Sequence, residues 1–150
     1  MTKIANKLKL DDSIRIKSFE LAGHKFKVKV PLTKELESIT QRIIDVPQEA
    51  IDARLKKMTD ALSSSEIEGV ELKDGDVIVD GRSTKDTVVA VLQMERKITE
   101  YFKLIVPENG DLSDITYEDI EEEFPMQTQF EFLEKISEVI QPGYKDARKN

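Results

Sequence analysis

A chain of 150 residues, 39% hydrophobic and 35% charged, carries enough apolar material for one ordinary core, since a domain of this size buries roughly 70% of the surface its unfolded chain exposes. Its formal charge of −7 favours solubility and gives no general attraction to nucleic acid. The absence of cysteine excludes disulfides, thiolate catalysis and thiolate metal sites. No segment approaches the roughly 20 apolar residues of a membrane span or resembles a signal peptide, so the chain reads as cytoplasmic and without a membrane partner.

In chain order, "IRIKSFEL" and "KFKVKV" alternate apolar and polar residues around Ala22-Gly23-His24, the pattern of a β-hairpin. The alternation predicts Ile14, Ile16, Phe26, Val28 and Val30 on one face and Lys17, Lys25, Lys27 and Lys29 on the other. After Pro31, Leu32, Leu36, Ile39 and Ile43 recur at helical spacing, with Thr33 as the expected cap. Val46-Pro47 ends that helix and opens another, striped by Ile51, Leu55, Met58 and Leu62.

"VELKDGDVIVDG" alternates around Asp74-Gly75, the strongest short hairpin signal, and predicts a second, small hairpin. Ser83 and Thr84 then start a long central helix whose stripe of Val88, Val91, Leu92, Ile98, Phe102 and Ile105 is expected to run to Pro107. Thr116 and Asp119 form a capping pair for a short acidic helix ending near Phe124. The last helix places Met126, Phe130, Leu133, Ile136 and Ile140 on one stripe, with Phe132 and Val139 displaced to its side. Pro142-Gly143 stops it before a basic tail, residues 143 to 150, expected to be mobile. Together these elements predict a single α+β domain over residues 1–150. It has an N-terminal β-hairpin, a mainly helical remainder with a second small hairpin, a long central helix and a C-terminal helix.

Signatures of catalysis are missing. His24 is the only histidine and falls in the expected turn, with no nucleophile or orienting acid that sequence can name beside it. "DGDVIVDG" fails as a calcium loop, because counting from Asp74 puts Ile78, Val79 and Lys85 at the fifth, sixth and twelfth positions. No glycine-rich phosphate loop occurs. Neither a cofactor nor a metal is expected, and an enzyme is the least favoured class.

Charge, by contrast, is polarised. Residues 1 to 30 hold eight lysines or arginines against three acids, while residues 108 to 124 hold eight acids and no base. Both runs read as solvated faces, with mutual attraction, either within one chain or between neighbouring copies, as the sharper reading; a homo-oligomer is the expected state. Lys25, Lys27 and Lys29 offer an alternative, a nucleic-acid-binding accessory role, although the acidic balance makes nucleic acid an unfavoured partner.

At its two ends, "FELAGHKFKVKVPLTKELESI" and "FPMQTQFEFLEKISEVIQPGYK", the chain resembles the tail assembly chaperones of long-tailed bacteriophages over about 40 residues. The resemblance implies a non-enzymatic factor of the host cytoplasm that coats the tape measure protein and recruits tail tube subunits. It also implies that a longer, frameshifted form accompanies a chain of this length. A helix-in-groove contact would then use the wide apolar face of the last helix. Phe130, Phe132, Leu133, Ile136, Val139, Ile140 and Tyr144 are the expected protein-binding residues, with packing inside their own chain as the competing assignment for the helical ones.

Overall fold

The computed structural model describes residues 3–63, 70–73, 76–79 and 82–141. A short helix α1 (Lys3–Lys7), not expected from the sequence, ends in a left-handed residue, Lys9, at φ 57°. The Leu10 N–H donates to the Ala5 carbonyl at 2.8 Å and the Lys9 N–H to that of Asn6 at 3.1 Å. These two bonds are the terminating pair usually built around glycine. A 3₁₀ turn (Asp12–Arg15) follows, capped by the Asp11 carboxylate, which accepts from the Ser13 N–H at 2.9 Å and from the Ser13 hydroxyl.

Strands β1 (Ile16–Leu21) and β2 (His24–Lys29) form the hairpin, and β6 (Ile105–Val106) adds to the far side of β2 in the order β1-β2-β6. The turn is two residues, Ala22 at φ 54° and Gly23 at φ 80°; positive φ at both positions is what a tight type I′ hairpin requires. His24 is therefore the first residue of β2 rather than part of the turn.

The register corrects the expected faces. Ile16 pairs with Lys29, Lys17 with Val28 and Phe19 with Phe26, and directly opposed residues share a face. Phe19, Leu21, Phe26, Val28 and Lys17 therefore lie on one side. Ile16 lies with Lys25, Lys27 and Lys29 on the other, and Ile14 belongs to the 3₁₀ turn. Each strand alternates as expected, but the odd-numbered residues of β1 share a face with the even-numbered ones of β2. A pairing sum of 45 demands that relation, and alternation within one strand does not reveal it.

Helices α2 (Thr33–Ile44), α3 (Gln48–Ser63), α4 (Thr84–Phe102), α5 (Tyr117–Glu123) and α6 (Met126–Ile140) supply the rest, with a second sheet β3 (Val70–Lys73), β4 (Asp76–Val79) and β5 (Arg82–Ser83). The second hairpin pairs Lys73 with Asp76; its Asp74-Gly75 turn lies outside the described residues. Thr33 is not the cap of α2. Glu35, at the third helical position, reaches back to accept the Leu32 N–H at 2.9 Å, half of a capping box. The expected Thr116–Asp119 pair forms a complete one at the start of α5, at 3.0 and 3.3 Å.

A further correction concerns the central helix, which stops at Phe102 instead of running to Pro107. Ile105 leaves the helical stripe and pairs with Val28, supplying the outer edge of β2 with hydrogen bonds that a longer helix would have denied it.

The chain divides into two compact units, residues 1–39 with 98–150, and residues 40–97. Both junctions fall inside helices, α2 and α4, so no linker-like composition marks them. In the 40–97 unit, Ile51, Val88 and Leu92 are buried together with Val46, Ala50, Leu55, Met58 and Val89 around them. Arg54 and Glu95 join α3 to α4 through two parallel bonds of 2.8 and 2.9 Å, the fork geometry that suits a guanidinium to a carboxylate. Arg96 and Gln93 donate to the carbonyls of Arg42 and Ile44 at 2.6 and 3.3 Å and so satisfy the end of α2.

Candidate functional site

The first unit is built around phenylalanine. Five of the six phenylalanines cluster there, with Phe132 at the hub. Its ring centroid lies 5.0 Å from Phe102, 5.2 Å from Phe26, 5.7 Å from Phe124 and 6.0 Å from Phe19. These separations fall within the range in which aromatic pairs attract beyond simple burial. The hub draws on four separate parts of the chain, so it exists only once both ends of the chain have come together.

The burial of α6 reassigns its stripe. Gln129, Phe132, Ile136 and Ile140 are buried, Leu133 and Val139 are half-buried, and Met126 and Phe130 are 50% and 45% exposed. Phe132, expected at the side of the stripe, is therefore core. Phe130 and Met126, expected on the stripe, form an open shoulder. Tyr144 lies outside the described residues.

A buried glutamine explains the turn of the stripe. The Gln129 side chain is 1% exposed, donates to the Phe124 carbonyl at 2.9 Å and accepts from the Tyr117 hydroxyl at 2.8 Å. It stitches the end of α5 to the start of α6, and each of its two polar atoms has a partner. Sequence reading passes over it because a glutamine in a helix ordinarily marks the solvent face.

Beside the hub opens a cleft of about 830 Å³, within the size range of ligand sites. Phe26, Phe102, Phe124 and Phe132 line it with Ile105, Ile115 and Ile120. Its lips carry opposite charge, Lys25 and Lys27 from β2 on one side, beside His24, and Glu108, Asp119 and Glu123 from the loop before α5 and α5 itself on the other. The sequence marks these charges as a basic head and an acidic segment; only the fold brings them to one opening.

Among the described residues no group of three His, Asp or Glu side chains is placed to hold a metal, and no helix is long and apolar enough to cross a membrane. Comparison with protein family models, curated proteins and solved structures finds no match. The arrangement offers apolar surface framed by charge, which is suited to recognition of another chain.

Proposed function

We propose that this chain is a non-enzymatic, oligomerising tail assembly chaperone of a long-tailed phage, working in the host cytoplasm. It binds an apolar helical stretch of the tape measure protein and recruits tail tube subunits to it. The observation that carries the reading is α6: this helix buries one face in its own core and leaves a bulky apolar shoulder, Met126 and Phe130, open beside it. An apolar helix face wider than its own core needs is a standard surface for an amphipathic partner helix. Leu133 and Val139, half-buried, flank the core face and extend the surface. Phe132, Ile136 and Ile140 support it from within.

The test is co-purification of the full chain with a tape measure fragment. Phe130→Ser combined with Met126→Ser is expected to abolish capture while circular dichroism and the thermal midpoint stay near those of the parent. Unchanged capture by the double variant would overturn the role of the shoulder.

A second reading rests on a different observation. Lys25, Lys27 and Lys29 are all exposed on one sheet face, a row that could follow a phosphate backbone. Phe19 and Phe26 face the other way, so the lysine row has no aromatic from its own hairpin on which bases could stack. Retention of single-stranded DNA that falls steeply with salt would favour this reading over the chaperone; no retention at low salt removes it.

A further inference from the structure

Four consecutive residues of β2, His24 to Lys27, border the cleft. Successive side chains of a strand point to opposite faces, so four in a row share one wall only where that wall runs along the edge of the strand. The hydrogen-bonding pattern identifies which main-chain groups face it. The Lys29 N–H donates to the Leu104 carbonyl at 2.9 Å, and Lys27 pairs with Val106. Outward-facing groups recur every second residue, so the N–H and C=O of Lys25 point the same way. Their partner in the ladder would be residue 108, but the ladder stops at Val106. Pro107 and a bend at residues 108–110 follow in place of a continued strand. A short length of open sheet edge thus lies directly against an aromatic floor.

We propose that this cleft receives an extended peptide from a partner protein, which adds to the outer edge of β2 at Lys25 and seats one bulky apolar side chain among Phe26, Phe124 and Phe132. The lips set the chemistry of that peptide: an acidic residue on the side facing Lys25 and Lys27, and a basic one facing Glu108, Asp119 and Glu123. A peptide charged with one sign throughout meets repulsion at one lip or the other. Main-chain pairing supplies general affinity, and the floor and the lips supply selection. This site is separate from the α6 shoulder and stands or falls without it.

The test starts from a displayed library of random heptapeptides selected on the full chain. Enriched sequences are expected to share a central Phe, Tyr, Leu or Ile with an acid on one side and a base on the other. A selected peptide, added to the isotope-labelled chain, is expected to shift the Lys25 amide resonance and slow its hydrogen exchange. Methylating the one peptide nitrogen that faces Lys25 is expected to weaken binding about tenfold, the loss of roughly one hydrogen bond, while methylation at the neighbouring nitrogens does less. Lys25→Pro removes an N–H that points away from β1, so the hairpin ladder is retained. This variant is expected to lose binding to a similar extent, with Lys25→Ala keeping it. If Lys25→Pro fails to fold, the methylated peptides decide. Four results would overturn the proposal: no enrichment, equal binding by every methylated peptide, shifts confined to the outer face of α6, or concentration-dependent Lys25 shifts without peptide, which would mean a second copy occupies the edge.

Discussion

Gln129 and Tyr117 hold the junction between α5 and α6 through a bond that neither residue could make without the other, and the Phe124 carbonyl depends on the same amide. Gln129→Leu is therefore expected to leave a hydroxyl and a carbonyl with lost partners and to cost about 1–3 kcal/mol, measured by urea unfolding. Tyr117→Phe, which removes only the one donor, is expected to cost about 1 kcal/mol. Ala22 offers the opposite case. It holds φ 54° without the freedom of glycine, so Ala22→Asn, which forms the preferred Asn-Gly pair of a type I′ turn, is expected to stabilise by about 0.5–1 kcal/mol. Two groups give pH dependence at opposite ends of the scale. The Leu32 N–H, with Arg15 beside it, holds the Glu35 carboxyl below its ordinary 4.5. Its contribution is present above that value and is lost as pH falls through the lowered one. Burial pushes the Tyr101 hydroxyl above its ordinary 10.0. The folded state keeps that proton more tightly than the unfolded chain does, so stability is retained below pH 10 and declines as pH rises through the raised value. Thermal midpoints between pH 9 and 11 should fall less in Tyr101→Phe than in the parent.

At the scale of elements, α6 shows how much the sequence reveals and where it stops. The helix, its start after Pro125 and its end before Pro142 follow from the sequence, and Ile136 and Ile140 belong to the core under either reading of its face. The choice between a stripe through Phe130 and one through Phe132 turns on position 129. A leucine there would have announced the buried face, whereas glutamine disguises it, because its partners arrive from α5 and from the α5–α6 junction. The same limit applies to β6. Two residues carry no period, and their pairing is dictated by an edge of β2 formed some 80 residues earlier. The Thr116–Asp119 capping box and the glycine turn of the first hairpin were legible because each is closed within four residues; the cleft was not, since its two charged lips are more than 80 residues apart in sequence. The contrast within α6 is itself testable. Phe132→Ala, at the hub of five rings, should cost about 3–5 kcal/mol. Phe130→Ser, on the open shoulder, should stay within about 0.5 kcal/mol and change only what the protein binds.

For the molecule as a whole, the basic N-terminal run and the acidic run from 108 to 124 both belong to the first unit, so each copy offers both signs of charge from one body. Attraction between exposed charges weakens beyond about 10 Å at 0.1 M salt. Light scattering is accordingly expected to show an oligomer whose mass falls as salt is raised, and a mass fixed at one copy at every salt concentration would rule out association through these runs. The order of synthesis gives the two units different histories. Residues 40–97 leave the ribosome as one uninterrupted piece and can complete their core early. The unit that begins first must finish last: Phe19 and Phe26 emerge long before Phe132, the ring that packs against both. At about 5–20 residues per second, the nascent hairpin waits several seconds with its apolar face uncovered. During that interval the lysines on its other face, and any factor that shields apolar strands, are what stand between the growing chain and aggregation.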